Sequence, residues 1–448
     1  MGIRRFAAGC AVAVLLLGAL GSPALADAHP PAPPPAAPAA PAAPAAPAGP
    51  AAPAGPAAPG TPTPGGTGTP TPGGTGTPTL GGTGAQPGGA NFNPVNFNPS
   101  SARPTEFASI RPADAAQMAP EQFAQMNAQQ MANFKPAAFG NFTSGQMGAL
   151  PAEAMGGFKP NQIGELRPSA MSAMSPEQMS AFKPTQMGAF SAQQMGALPA
   201  DAMTGFSTQQ MAALPPGAFA GFKSDQMGAL PAVAFAGFKA SQVDAMKPAA
   251  FSGMNQEQLG AMPSGAFKAM DSKQFGQLSP EAMKGFSPQQ FGQLPSDAMK
   301  GFSASQMGAM SPEAIAGMKA TQMDAMPAGA MNGMTPEQLA SISPATFKAM
   351  DPRQLGALPA AAVGAMEPEQ LAQLSPAAIG GLKAPQVEQM PTETFDAMKT
   401  AQLRALKPAA APGCTDEQLA GLTDGEAKAL SQAFIRALDA EQKQALAT

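Results

Sequence analysis

Large apolar residues recur at two fixed places in every eight along most of this chain. Cut into octads from Arg103, the sequence reaches Leu446 without an inserted or deleted residue, which makes 43 octads. Position eight is Ile, Met, Phe, Leu or, once, Cys. Position five is a large apolar residue in every octad except those holding Ala115, Ala411, Ala427 and Lys443. These exceptions lie near the two ends, where a stack of repeats finishes in less apolar caps. Apart from Met1, all thirty Met residues occupy positions five or eight, a restriction that a disordered chain would not keep.

The polar half of the octad predicts a helix start. In Ser287-Pro-Gln-Gln290, Ser accepts from the third amide, Pro suits the first helical position and Gln reaches back to the capping amide, an iterated capping box. Phe286 before the cap and Phe291 after it form a hydrophobic staple. Phe291 and Leu294 then share one face, three residues apart. Helices of four to six residues do not persist alone, because nucleation is costly, so stacking must hold them. The pattern predicts an all-α solenoid of very short helical turns. A β-solenoid is the alternative for a Gly/Ala-rich periodic chain, but Pro at the turn start and the three-residue apolar spacing favour helix.

A second period overlies the first. Position four is Gln in every other octad, nineteen times in steps of sixteen from Gln130 to Gln418, and usually Ala in between, as at Ala154, Ala202, Ala282 and Ala378. The octads therefore pair into 16-residue coils with two unlike sides across residues 103–422, and about twenty coils advancing ~8–10 Å each would make a rod on the order of 200 Å. Residues 425–446 hold neither Pro nor a second Gly, and Ala427, Leu430, Phe434, Ile435 and Leu438 keep helical spacing. Residues 423–448 thus read as one amphipathic capping helix started by Thr423 or Asp424, with partner binding as its alternative role.

The start of the chain changes the compartment. Arg4 and Arg5, an apolar run from Ala7 to Leu20 and small residues ending at Ala26 predict a secretory signal peptide over 1–26, too short to span a membrane. Cys10 opens the apolar run instead of following it, which argues against lipidation. Residues 27–102 are Pro/Ala-rich and then repeat GTPTPGGTG, a composition that predicts a disordered stalk open to O-glycosylation at Thr. Within it, Asn91 to Pro99 reads as an N-terminal cap of the array or a short binding motif. The mature chain is expected to be secreted or held at the cell surface or wall, with no membrane span.

Charge and chemistry then narrow the function. A net charge of −4 and 12% charged residues give no basic stripe for nucleic acid. Lys at positions one and six (Lys183, Lys223, Lys268, Lys284), among Asp and Glu at three and six, reads as a solvated face. With neither Trp nor Tyr, the usual interface anchors are missing. The single histidine, His29, lies in the stalk, and carboxylates such as Glu177 and Glu281 are repeated surface positions. The residues therefore predict no enzyme, no catalytic, cofactor-binding or metal site, and no cofactor. Two sharper readings compete with a plain core. Met pairs such as Met171 with Met174, Met307 with Met310 and Met323 with Met326 have the softness to bind cuprous copper or scavenge oxidants. Cys414, the one cysteine after signal removal, offers a disulfide-linked homodimer. Against these, Met exchanges with Phe, Leu, Ile and Val at the same positions, and Cys414 stands at position eight, where small hydrophobes belong.

The pattern Leu-Ser/Thr-x-x-Gln-apolar-x-Ala/Gly, as in Leu278 with the octads after it or Met334 through Ser341, resembles the octapeptide repeats of large bacterial surface proteins carrying an adhesion or haem-utilisation-like label. The likeness covers Arg103 to Leu446. It departs in the free use of Pro at positions one and two and of Met or Phe at the apolar positions. It implies an extracellular repeat scaffold, structural or adhesive, with an unknown protein or wall partner. It implies no haem use, since the array lacks His. The alternative function is a Met-rich extracytoplasmic copper or oxidant buffer.

Overall fold

A computed structural model describes residues 92–447, and among them it is entirely helical with no strand. The predicted signal peptide, most of the predicted stalk, Cys10 and His29 lie outside the described residues. Each octad carries one helix of four to six residues, starting at position two or, at Asp201, position three. Two extended residues, at positions eight and one, separate most successive helices: Leu150 at φ −62° and ψ 134°, then Pro151 at −61° and 147°. Where the helix is shortest, two or three turn residues precede that link, as after Phe291.

The predicted caps form. Ser287 N–H donates to Gln290 Oε1 at 2.8 Å, and Gln290 N–H donates to Ser287 Oγ at 3.2 Å. Where position one is Lys, as at Lys159, only the Gln half of the box exists. The staple closes too, with the Phe286 and Phe291 rings edge to face at 6.0 Å. From Phe107 to Leu419 every position-five side chain is at most 1% exposed, and through Cys414 no position-eight side chain exceeds 5%. Removing such side chains from water, at ~1.5–3 kcal/mol each before entropy, is what single turns need to persist.

Stacking departs from the 16-residue coil. Helices in contact lie three octads apart, as with 216–219 and 240–245 or 248–253 and 224–229. The Gln side chains reach further, to carbonyls 28 and 31 residues earlier, in the fourth octad back. One turn of the coil is therefore between three and four octads, and sixteen residues is the repeat of the sequence only. Neighbour relations explain that repeat. Apart from the octads of Gln122, Gln186 and Gln442, a contact across three octads pairs a Gln-bearing octad of the sixteen-residue series with an intervening, usually Ala-bearing one, and a contact across four pairs like with like. With about 28 residues per turn the array completes about twelve turns, so at ~8–10 Å per turn it extends on the order of 100 Å, half the length expected from 16-residue coils.

Both ends differ from expectation. Residues 423–448 are not one helix: Asp424–Ala427, Gln432–Ala437 and Ala440–Ala445 are separate. Ser431 and Asp439 accept from the amides of Phe434 and Gln442, restarting the chain at each octad boundary even without Pro or Gly. At the other end, residues 92–102 belong to the array and not to the stalk. Two 3-10 turns, Pro94–Asn96 and Pro99–Ser101, are capped by Asn93 and Asn98, and the Phe92 ring is buried. Gln122 and Gln130 donate to the carbonyls of Pro94 and Pro99, so the Asn-Phe-Asn-Pro segment acts as the cap.

Candidate functional surface

The Gln row is the most ordered polar feature. Each Gln holds the amide at the start of its own helix and ties two carbonyls of the turn beneath. Gln258, 1% exposed, accepts from Asn255 N–H at 3.0 Å and donates to Met227 O at 2.9 Å and Leu230 O at 2.7 Å. Gln122, Gln186 and Gln442 do the same outside the sixteen-residue series. In two Ala-type octads a Thr supplies half of this, Thr346 Oγ1 reaching Met318 O and Thr394 Oγ1 reaching Met366 O. Among the described residues no buried side-chain polar atom lacks a partner. The row is saturated by the fold and offers nothing to a ligand.

Its ends are marked by substitutions invisible to the periodicity. Asp114 takes the Gln place in the second octad, and Phe434 takes it at the far end of the series, fully buried. Asp114 instead accepts from Arg111 at 2.7 and 3.0 Å, and that side-chain hydrogen bond holds its carboxyl below the ordinary range. The ionised form is favoured by the fold, so this contribution is present above the ordinary carboxylate pKa of ~4 and is lost as pH falls through the lowered value. Asp114→Asn should therefore flatten the acid limb of a melting-temperature profile below about pH 4.

The Met pairs raised as copper ligands all point inward. Met171, Met307 and Met323 are at 0% exposure, and Met174, Met310 and Met326 at 3%. Cys414 is buried, and its carbonyl takes the last Gln bond, from Gln442 at 2.7 Å. Burial pushes its thiol up to about 12. A thiol so protonated and covered is a poor nucleophile. A maleimide reagent at pH 7.5 is expected to leave the native protein unlabelled and to label it after denaturation, and a non-reducing gel should show a monomer.

What remains is the outer face. The cross-octad Lys contacts are with backbone: Lys239 Nζ donates to Ala212 O and Lys399 Nζ to Ala372 O, each at 2.7 Å across 27 residues. The ion pairs Lys284–Glu281 and Lys300–Asp297 stay within one octad and are solvent-exposed, an arrangement of little energetic weight. Among the described residues no three His, Cys, Asp or Glu side chains converge as a metal site. Near the C-terminal end Asp396 sits by Glu426 and Glu393, and burial, with their charges, raises its pKa. The last octads leave an open groove lined by Leu430, Ile435, Leu446, Asp424, Lys428 and Lys443.

Once the stacking interval is known, the acidic residues at position three fall into a row. Asp201, Asp225, Glu257, Glu281, Glu313 and Glu337 follow at intervals of 24, 32, 24, 32 and 24 residues, the two spacings of stacked octads. Helices 201–205 and 224–229, 256–261 and 280–283, and 312–315 and 336–341 are in contact. The same two intervals carry the row back to Glu121 and on to Glu441, leaving out only Asp297 among the position-three acids. All of these carboxylates are exposed. Octad position alone reads them as a scattered solvated face, whereas their spacing in threes and fours was the available signal. No protein-family model matches the chain, and no curated protein is similar to it.

Proposed function

We propose that this chain is a non-enzymatic, extracytoplasmic repeat scaffold whose length and repeated outer face act structurally or adhesively at a cell surface. The observation that carries the reading is the continuous Gln row, because it commits the polar interior to holding one turn on the next and leaves function to the surface. The signal-like start, the Pro/Thr-rich segment before the array and the likeness to octapeptide repeats of bacterial surface proteins all support it. Burial of the Met thioethers favours this reading over the copper or oxidant buffer, since a buffer needs its sulfurs accessible. Protease applied to intact producing cells should release array fragments, and deleting the gene should change attachment or cohesion without changing copper tolerance. A chain found only inside the cell, or a copper-sensitive deletion with normal surface behaviour, overturns the proposal.

A further inference from the structure

We propose that two copies of this chain associate side by side, a cationic edge of one lying along the acidic row of the other. This is drawn from the charges of the array alone and stands apart from the surface-scaffold reading. The acidic row runs through stacked octads from Glu121 to Glu441, and up to Glu417 the only lysines in its octads are Lys223 and Lys284. A second row follows the same spacing on another flank. Lys135, Lys159 and Lys183 succeed one another at 24 residues, each just before a helix, and successive helices of the three are in contact. With between three and four octads per turn, their octads lie one or two octads along the coil from those of the acidic row, roughly a quarter to half a turn away. After a gap of 56 residues, in which one turn carries no lysine, the row resumes at Lys239 and runs on, in octads 24 or 32 residues apart, through Lys268, Lys300, Lys319 and Lys348, all exposed. There Asp244, Asp297 and Asp324 share octads with three of the lysines and weaken the edge. Contact therefore concentrates on Lys135, Lys159 and Lys183, whose octads hold only Glu165 against them.

The spacing makes this more than two charged patches. Both rows advance by one turn of the same coil, so two copies laid side by side bring a cation to a carboxylate at each turn of the run Lys135, Lys159 and Lys183 without a change of pitch. Single exposed pairs are weak, but a row of pairs acts together, and salt screens it over ~8 Å at physiological ionic strength. The edges are different surfaces of one molecule, so the contact is heterologous and can recruit further copies.

Sedimentation of the mature full chain at tens of micromolar tests this. In 20 mM NaCl, reversible association is expected, and in 500 mM NaCl the monomer. Replacing Lys135, Lys159 and Lys183 by Gln should weaken association on the order of tenfold or more. The equal-charge control, Lys268→Gln with Lys319→Gln and Lys348→Gln, should weaken it far less, both triple variants keeping the wild-type helical spectrum. Neutralising Glu257, Glu281, Glu313 and Glu337 to Gln should match the first triple, whereas neutralising Asp244, Asp297 and Asp324 to Asn should not weaken association. A monomer at low salt, association that survives 500 mM NaCl, or equal loss in both lysine triples overturns the proposal.

Discussion

Gln290→Leu should destabilise the array by about 2–5 kcal/mol, read as a lower denaturation midpoint by helical circular dichroism. Leu fills much of the volume but leaves the amide of Ser287 and the carbonyl of Met262, bonded at 2.8 and 2.7 Å, without a partner; the carbonyls of Leu259 and Gly260 lose bonds of 3.1 Å, Leu259 keeping the N–H of Met262. Each buried group left unpaired costs ~1–3 kcal/mol, with partial relief from water near the surface. Gln290→Thr should lose less, since Thr394 in an equivalent place reaches the carbonyl 28 residues earlier at 2.8 Å. Because each turn touches only its neighbours, the damage should also broaden the transition as the array separates into two halves. A Leu variant no worse than the Thr variant would mean that the row adds little beyond packing.

Gly253→Ala is expected to be as damaging although it adds one methyl group. A Cβ there would stand 1.8 Å from the carbonyl oxygen of Ser224, so the two turns must part, and backbone cannot rotate away as a side chain can. Overpacking of movable side chains costs ~1–3 kcal/mol, and this site should reach the upper end or beyond. Gly164→Ala is the control. It lies inside the helix Pro160–Glu165 with nothing within 4 Å of the added carbon, so it should be neutral or stabilising by ~0.5–1 kcal/mol. Thermal melts of the two variants should move in opposite directions, and equal shifts would refute close approach as the role of Gly253.

Much of the local structure was legible because it is local. Ser287 with Gln290 states its own cap, Phe286 with Phe291 its own staple, and the confinement of Met to positions five and eight states which side chains are buried. The long-range arrangement was not legible, for a physical reason. The alternation of Gln290 with Ala282 records the parity of an octad, and parity is compatible with any coil in which neighbours three and four octads apart have different duties. The ends failed for a related reason: helical spacing from Ala427 to Leu438 looks continuous, but Ser431 caps its own helix regardless of what surrounds it. Gly253 and Gly221, both at position seven of Ala-type octads, were a visible signal of close stacking that apolar periodicity does not weigh. The acidic row was equally hidden, since the interval between Glu257 and Glu281 acquires meaning only when one turn is known to lie on the other.

Two duties alternate along a coil whose turn holds no whole number of octads, and this restricts how the protein can change length. Removing sixteen residues keeps every downstream octad in phase with the turn it rests on. Removing eight reverses the phase across the junction, setting the Gly-bearing octads against each other and the Gln-bearing ones over the wrong turn, until a full coil has passed. The array is a lattice with a two-unit cell, and growth or loss by single units leaves a fault line at which it would be first to melt.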